Sequence, residues 1–136
     1  DEGTAKSMGA DATGIFIAAS YVTGIESDEN VTFLEAMAEK FGDDLNTPND
    51  LSVPQYEAVY LYKEAVEAAG TTEADAVIDK LDEVSFTGPR GTVIMHKQRH
   101  APLTMYLGQV LEDGSVSVIQ SFENVDPGEQ CPQFAN

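Results

Sequence analysis

The sequence predicts an α/β chain with one buried strand, then three helices, then short antiparallel strands. Three observations carry this. Gly14 to Tyr21 (GIFIAASY) is a mostly apolar run of strand length. Between Glu29 and Val84, apolar residues recur at helical spacing in three segments, each with start and stop signals. After Val84 the period falls to two, and Asp113-Gly114 separates two alternating runs.

The elements follow in order. Asp1 to Thr13 is small and polar and reads as loop. The run from Gly14 to Tyr21 reads as a buried strand, because Ile15-Phe16-Ile17 is β-prone and glycines lie at either side. The first helix spans about Glu29 to Phe41, capped by Ser27 or Asp28 and ended by Gly42. Its stripe is Phe33, Leu34, Met37, Ala38 and Phe41. The second begins at Ser52, where Gln55 completes a capping box and Pro54 suits the first turn, and it closes at Gly70. Ala58, Val59, Tyr62, Ala65, Val66 and Ala69 are its expected inner face. The third takes Thr72 as cap and carries Ala74, Val77, Ile78, Leu81 and Val84. Gly88-Pro89-Arg90-Gly91 is a turn, Thr92 to His96 a short strand, and Leu103 to Leu111 with Ser115 to Phe122 a hairpin through Asp-Gly. Three amphipathic helices need a sheet to cover, yet one long strand precedes them. The pattern is that of the closing part of a larger fold.

At 136 residues the chain suits one compact domain, and 42 % hydrophobic residues are enough for a core. Asp and Glu total 24 against 7 Lys and Arg, a formal net charge of −17. Such a surface repels phosphate backbones and anionic lipids, which argues against nucleic acid as a partner. The carboxylates sit at helix ends and turns and read as a solvated coat; no D-x-D-x-D-G loop is present for calcium. No apolar run nears the roughly 20 residues that span a bilayer.

Candidate chemistry is sparse. The single cysteine, Cys131, lies in a Pro- and Gly-bearing tail with no support for a neighbouring base. His96 and His100 are four apart, but they fall where a strand runs into a loop, with Lys97 and Arg99 between them; loop histidines packing locally fit better than a zinc site. There is no G-x-S-x-G, no phosphate-cradling Gly loop and no paired Cys. No enzyme activity, metal or cofactor is expected. Tyr21 directly follows the apolar strand, and the loops after strands are where α/β folds bind small ligands. Tyr56 and Tyr60 fall off the main stripe of the second helix. They either pack against a neighbouring layer with their hydroxyls at the rim or line a cleft.

Taken together, several segments are similar to the latter half of a type I periplasmic solute-binding protein. They are Gly9-Ala10-Asp11-Ala12-Thr13-Gly14, then Ala19-Ser20-Tyr21, then Glu29-Asn30 with Phe33. Tyr56-Glu57-Ala58-Val59-Tyr60 follows, then Phe86-x-Gly88-Pro89-x-Gly91-x-Val93, the segment around His100, and Tyr106-Leu107-Gly108-Gln109-Val110 ahead of Asp113-Gly114. The ordered series, over residues 9 to 122, carries the resemblance. It points to the branched-chain amino acid, amide and urea binding components of ABC transporters. Many relatives have a second histidine beside the one matched by His100, where this chain has Arg99 and Ala101.

The resemblance implies a two-lobed fold that closes on a small polar solute and presents it to a membrane permease, with no covalent chemistry. Residues 1–24 would be a hinge-crossing strand region and 25–84 the helical part of lobe one. Residues 85–122 would be strands and a hairpin returning to lobe two, and 123–136 a tail. Ala19, Ser20, Tyr21 and Tyr56 would be the ligand-binding residues. Location would be the periplasm, with the export signal upstream, and Cys131 could pair with a cysteine outside this chain. Alone, the chain is expected to expose apolar helix faces and to self-associate. Cytoplasmic ligand-sensing regulators of amide metabolism share this fold by resemblance and form the alternative.

Overall fold

A computed structural model describes residues 1–96 and 99–128. The expected α/β order of strand, helices and antiparallel strands is present, with additions at both ends. The first is α1 (Glu2–Met8), where loop was expected. Asp1 Oδ1 accepts from the Thr4 backbone N–H at 2.8 Å and caps it, Glu2 sits in its first turn, and Ala5 is buried beneath it. The small polar composition concealed a capped helix of about two turns. A short 3₁₀ turn, Gly9–Ala12, joins it to β1.

β1 (Phe16–Ala19) is shorter than the expected Gly14 to Tyr21 and is not a buried strand. It lies at the edge of a three-stranded antiparallel sheet of order β1-β4-β5, pairing Phe16 with Gln109 and Ala19 with Tyr106. Phe16 is 61 % exposed; burial begins only at Ala19 and continues through Ser20, Tyr21 and Val22. The apolar run therefore holds both a short, largely exposed strand and its buried exit into the core.

α2 (Asp28–Phe41) starts as expected, with Ser27 Oγ accepting from the Asn30 N–H at 3.2 Å, and stops at Gly42, whose φ of 51° suits a residue without Cβ. Phe33 is buried, Leu34 and Met37 are half-buried, and Ala38 and Phe41 are exposed. α3 (Ser52–Ala69) is the expected second helix, ending at Gly70 in the left-handed region. Its cap and its inner face both differ from expectation. Asn49 Oδ1 takes the Leu51 and Ser52 N–H groups at 2.9 and 3.0 Å, and Gln55 donates to the Leu51 carbonyl, so no Ser52–Gln55 box forms. The buried residues are Val53, Glu57, Leu61 and Ala65, spaced four apart, whereas Val59 and Tyr62 are 67 % and 51 % exposed. α4 (Ala74–Lys80) is the third helix. Thr71, not Thr72, accepts the Glu73 N–H; Val77 is buried, Ile78 is exposed, and Leu81 and Val84 lie past the helix end.

The unexpected strand β2 (Ser85–Gly88) pairs with β3 (Gly91–Ile94) across Pro89-Arg90, so the predicted turn is the tip of a hairpin. β4 (Leu103–Val110) and β5 (Val116–Val125) form the predicted Asp-Gly hairpin, with Asp113 Oδ1 accepting from the Ser115 N–H and hydroxyl. β5 runs three residues past the expected end into the segment taken as tail. Cys131 lies outside the described residues.

One apolar cluster joins these parts. Ala5, Ala12, Ala19, Tyr21, Val22 and Ile25 meet Phe33 from α2, Val53 from α3, and Val110 and Val116 from the sheet. Asn30, 1 % exposed, pins the chain between β1 and α2. It accepts from the Tyr21 hydroxyl at 2.9 Å and donates to the Thr23 and Ile25 carbonyls at 3.0 and 2.8 Å. Asn30→Ala leaves these three groups unpaired in the interior. It should lower stability by about 2–4 kcal/mol in urea unfolding, against less than about 0.5 kcal/mol for the exposed Asn46→Ala.

Candidate functional site

Where β1 ends, the chain delivers Ser20 into a polar network drawn from three other places. The Ser20 N–H and hydroxyl both donate to Asp50 Oδ1, at 2.9 and 2.5 Å, in the loop before α3. The same hydroxyl oxygen accepts from Arg90 Nη1 at 3.0 Å. Arg90, at the β2–β3 tip, turns its Nε to Glu57 Oε2 at 2.6 Å and its backbone N–H to Glu57 Oε1 at 3.1 Å. Glu57 and Arg90 side chains are 1 % and 8 % exposed. Both carboxylate oxygens of Glu57 are thus held by one residue through its main chain and its guanidinium, a geometry that fixes direction as well as charge.

Next to this network runs an aromatic row. Tyr21 meets Phe33 edge-on at 6.4 Å between ring centres, Phe33 meets Tyr56 at 4.9 Å, and Tyr56 meets Tyr60 at 5.0 Å. Tyr60 stacks on Phe86 at 4.6 Å and 13°. Tyr56 stands between two hollows. One, of about 310 Å³, is shared with Phe33, Met37 and Leu45; the other, of about 340 Å³, with Phe86, Gly88 and Pro89. The Tyr56 phenol is pushed up to about 12, first by burial and then by its hydrogen bond with Tyr60. Burial, then the charges of Glu2 and Glu57, hold the Tyr21 phenol well above its ordinary range. Both remain neutral hydroxyl donors across any physiological pH.

Three of the four expected binding residues lie on the exit of β1 and one on α3. Ala19 and Ser20 are 8 % exposed, and Tyr21 is 1 % exposed with its hydroxyl held by Asn30. Tyr21 is therefore the buried end of the aromatic row, and its hydroxyl proton is already given to Asn30. Of these four, Tyr56 borders the two hollows while packing against Phe33 and Tyr60; Tyr60, read together with it, stacks on Phe86 and lines neither. Asp50, Glu57 and Arg90 were missed. Glu57 interrupts the row Val53–Leu61–Ala65, and a carboxylate on an apolar row of period four was the available signal for a buried partner. His96 and His100 stack on each other at 4.8 Å and 9°, with the His96 N–H donating to the His100 carbonyl. Among the described residues no group of three or more His, Cys, Asp or Glu is arranged to hold a metal ion, and no helix is long and apolar enough to cross a membrane.

Comparison with known proteins identifies this framework. A curated relative, limonene hydroxylase of Geobacillus stearothermophilus, is 22 % identical over 116 residues, which is 85 % of this chain and 21 % of that protein. Among solved structures, a solute-binding protein of an ABC transporter from Rhodopseudomonas palustris BisB5, in complex with 3,4-dihydroxybenzoic acid, is similar with a TM-score of 0.80 and 25 % identity. The match covers 94 % of this chain and 36 % of that one. Another, from Rhodopseudomonas palustris HaA2 in complex with p-hydroxybenzoic acid, gives 0.77 and 26 % over 92 % of this chain and 35 % of that one. The chain spans about a third of the length of these structures. The family model described as periplasmic binding protein matches residues 1–115, a span that holds the β1 exit, all the helices and β1 to β4, and the chain belongs to the periplasmic binding protein family.

Proposed function

We propose that the chain is part of a solute-binding protein serving an ABC importer in the periplasm, and that its solute is a small aromatic carboxylic acid. The observation that carries the solute class is the position of Tyr56, whose ring is flanked by two hollows within a row of aromatic side chains. A benzoic-acid ring can stack there with favourable offset or edge geometry. The R. palustris relatives support it, since both hold hydroxybenzoic acids. Urea or a simple amide has no ring to stack. Among the described residues that line the two hollows there is no Lys or Arg, while Asp28, Glu29 and Asp44 are present. The ring end of the solute therefore faces this chain and its carboxylate points away, toward the rest of the protein. Binding of this kind involves hydrogen bonds and ring contacts and no covalent step, and the solute-loaded form is what a membrane permease would receive. The hydroxylase name attaches to a protein of which this match covers 21 %, and it supplies no site here.

Isothermal titration of the full-length protein with 4-hydroxybenzoate, leucine and urea tests this. The expected result is micromolar or tighter binding of 4-hydroxybenzoate and none of urea. Binding of leucine with 4-hydroxybenzoate silent would overturn the solute class, and silence with all three would overturn the proposal. In the same protein Tyr56→Ala should weaken 4-hydroxybenzoate by about 10- to 100-fold, or about 1.4–2.8 kcal/mol. Tyr56→Phe, which keeps the ring, should stay within about threefold. Equal losses in both variants would show that the hydroxyl, not the ring, makes the contact.

A further inference from the structure

We infer that Glu57 and Arg90 are positioning residues that set the width of the hollow beside Tyr56, an inference that rests on reading this hollow as the solute site. The 340 Å³ hollow is walled by three parts of the chain. One is α2, through Thr32, Phe33 and Ala36; the second is Tyr56, the residue before Glu57 on α3; the third is Phe86, Gly88 and Pro89, the run that leads into Arg90 at the hairpin tip. A buried ion pair ties the hairpin wall to the α3 wall, beside the ring contacts of Phe86 with Tyr56 and Tyr60. Glu57 accepts from Arg90 twice, at 2.6 Å from Nε and 3.1 Å from the backbone N–H.

The backbone contact matters most for the geometry. It fixes the main chain of the tip to the helix one residue from Tyr56, so side-chain motion of Arg90 alone cannot loosen it. Wall packing follows this placement. Pro89 is under 2 % exposed, and a Cβ on Gly88 would come within 2.5 Å of the Phe86 ring, so Phe86 lies flat on the strand it belongs to. That leaves its face free to stack on Tyr60 and its edge to meet Tyr56 at 6.3 Å. Arg90 Nη1 then reaches Ser20, which fixes the tip to the β1 exit as well. Neither charged group lines the Tyr56 hollow, so any effect on solute passes through the position of the rings.

The test compares the full-length wild type, Glu57→Gln and the double variant Glu57→Leu/Arg90→Met. Glu57→Gln leaves a buried cation without its partner and should lower both the melting temperature and the affinity for 4-hydroxybenzoate. The double variant removes both charges at similar volume, a change that costs little stability when a buried ion pair is replaced. It should recover the melting temperature but remain about tenfold or more weaker for 4-hydroxybenzoate. It should also lose the near-ultraviolet circular dichroism of Tyr56 and Tyr60, whose rings pack on Phe86. Affinity that returns together with the melting temperature would overturn the inference, leaving the pair a purely structural one. Should the double variant not fold, Arg90→Lys keeps the charge and the backbone bond but loses the fork. That variant should therefore keep most of the affinity, and the decision then falls to Glu57→Gln, measured well below its melting temperature, where unchanged affinity and tyrosine signal would overturn the inference equally. If the wild type takes no 4-hydroxybenzoate, the solute class falls, and the tyrosine signal of the folded variants alone decides on Glu57 and Arg90.

Discussion

A carboxylate with no solvent contact is the constraint around which the helical part of this chain is arranged. Glu57 sits on the inner face of α3 with 1 % of its side chain exposed, and a carboxylate so placed is tolerable only if a cation and hydrogen-bond donors go inside with it. Arg90 supplies both. Removing one partner of such a pair typically costs about 3–5 kcal/mol, since the other charge is left stranded. For the pair to form, α3 must present the row Val53–Glu57–Leu61–Ala65 inward, the β2–β3 hairpin must fold back onto the helix, and the β1 exit must bring Ser20 to the guanidinium. The exposed pairs are of another kind. Lys63 with Glu64 and Glu67 on α3, and Lys80 with Glu83 just past the end of α4, lie on open surface and add little.

The same pair explains where sequence reading succeeded and where it failed. Helix ends depend on local backbone chemistry, and Ser27, Gly42 and Gly70 stand where such chemistry puts them. The Asp113-Gly114 hairpin was legible for the same reason. The inner face of α3 was not. An apolar count favours Ala58, Val59 and Tyr62 over a row containing a glutamate, yet the row with the glutamate is buried because a partner 33 residues away neutralises it. β2 was missed for a related reason: Ser85-Phe86-Thr87-Gly88 is short and carries one large apolar residue, and only its pairing with β3 makes it a strand. α1 was missed because its buried residues are an alanine and a glutamate, the latter holding the Thr23 N–H and hydroxyl.

The candidate site was half legible. The run Ala19-Ser20-Tyr21 does end a strand at a place where elements converge, but depth divides its members: Ser20 enters the polar network and Tyr21 the core. A tyrosine after a strand signals a hydroxyl that needs a partner, and the sequence does not say whether that partner is a solute or a side chain. Here it is Asn30, nine residues on, and that bond closes the loop between β1 and α2. Tyr56 differs only in what surrounds it. Its ring has neighbours on Phe33 and Tyr60 but open space on two sides.

Polar and aromatic groups thus take separate roles in one small region. The hydrogen-bonding capacity of Ser20, Asp50, Glu57 and Arg90 is directed inward, toward one another, and holds three segments in fixed relation. The hollows are lined by the rings of Phe33, Phe41, Tyr56 and Phe86 and by neutral polar side chains such as Asn49 and Thr87, with carboxylates at the edge and no cation among the described lining residues. Ring surface discriminates by shape and stacking, whereas recognition of a carboxylate needs positive charge or several aligned N–H groups. A chain with a net charge of −17 whose buried cation is already paired is poorly suited to the second task. For the aromatic acid proposed above, this region would then meet the ring, and the carboxylate would fall to groups elsewhere in the protein.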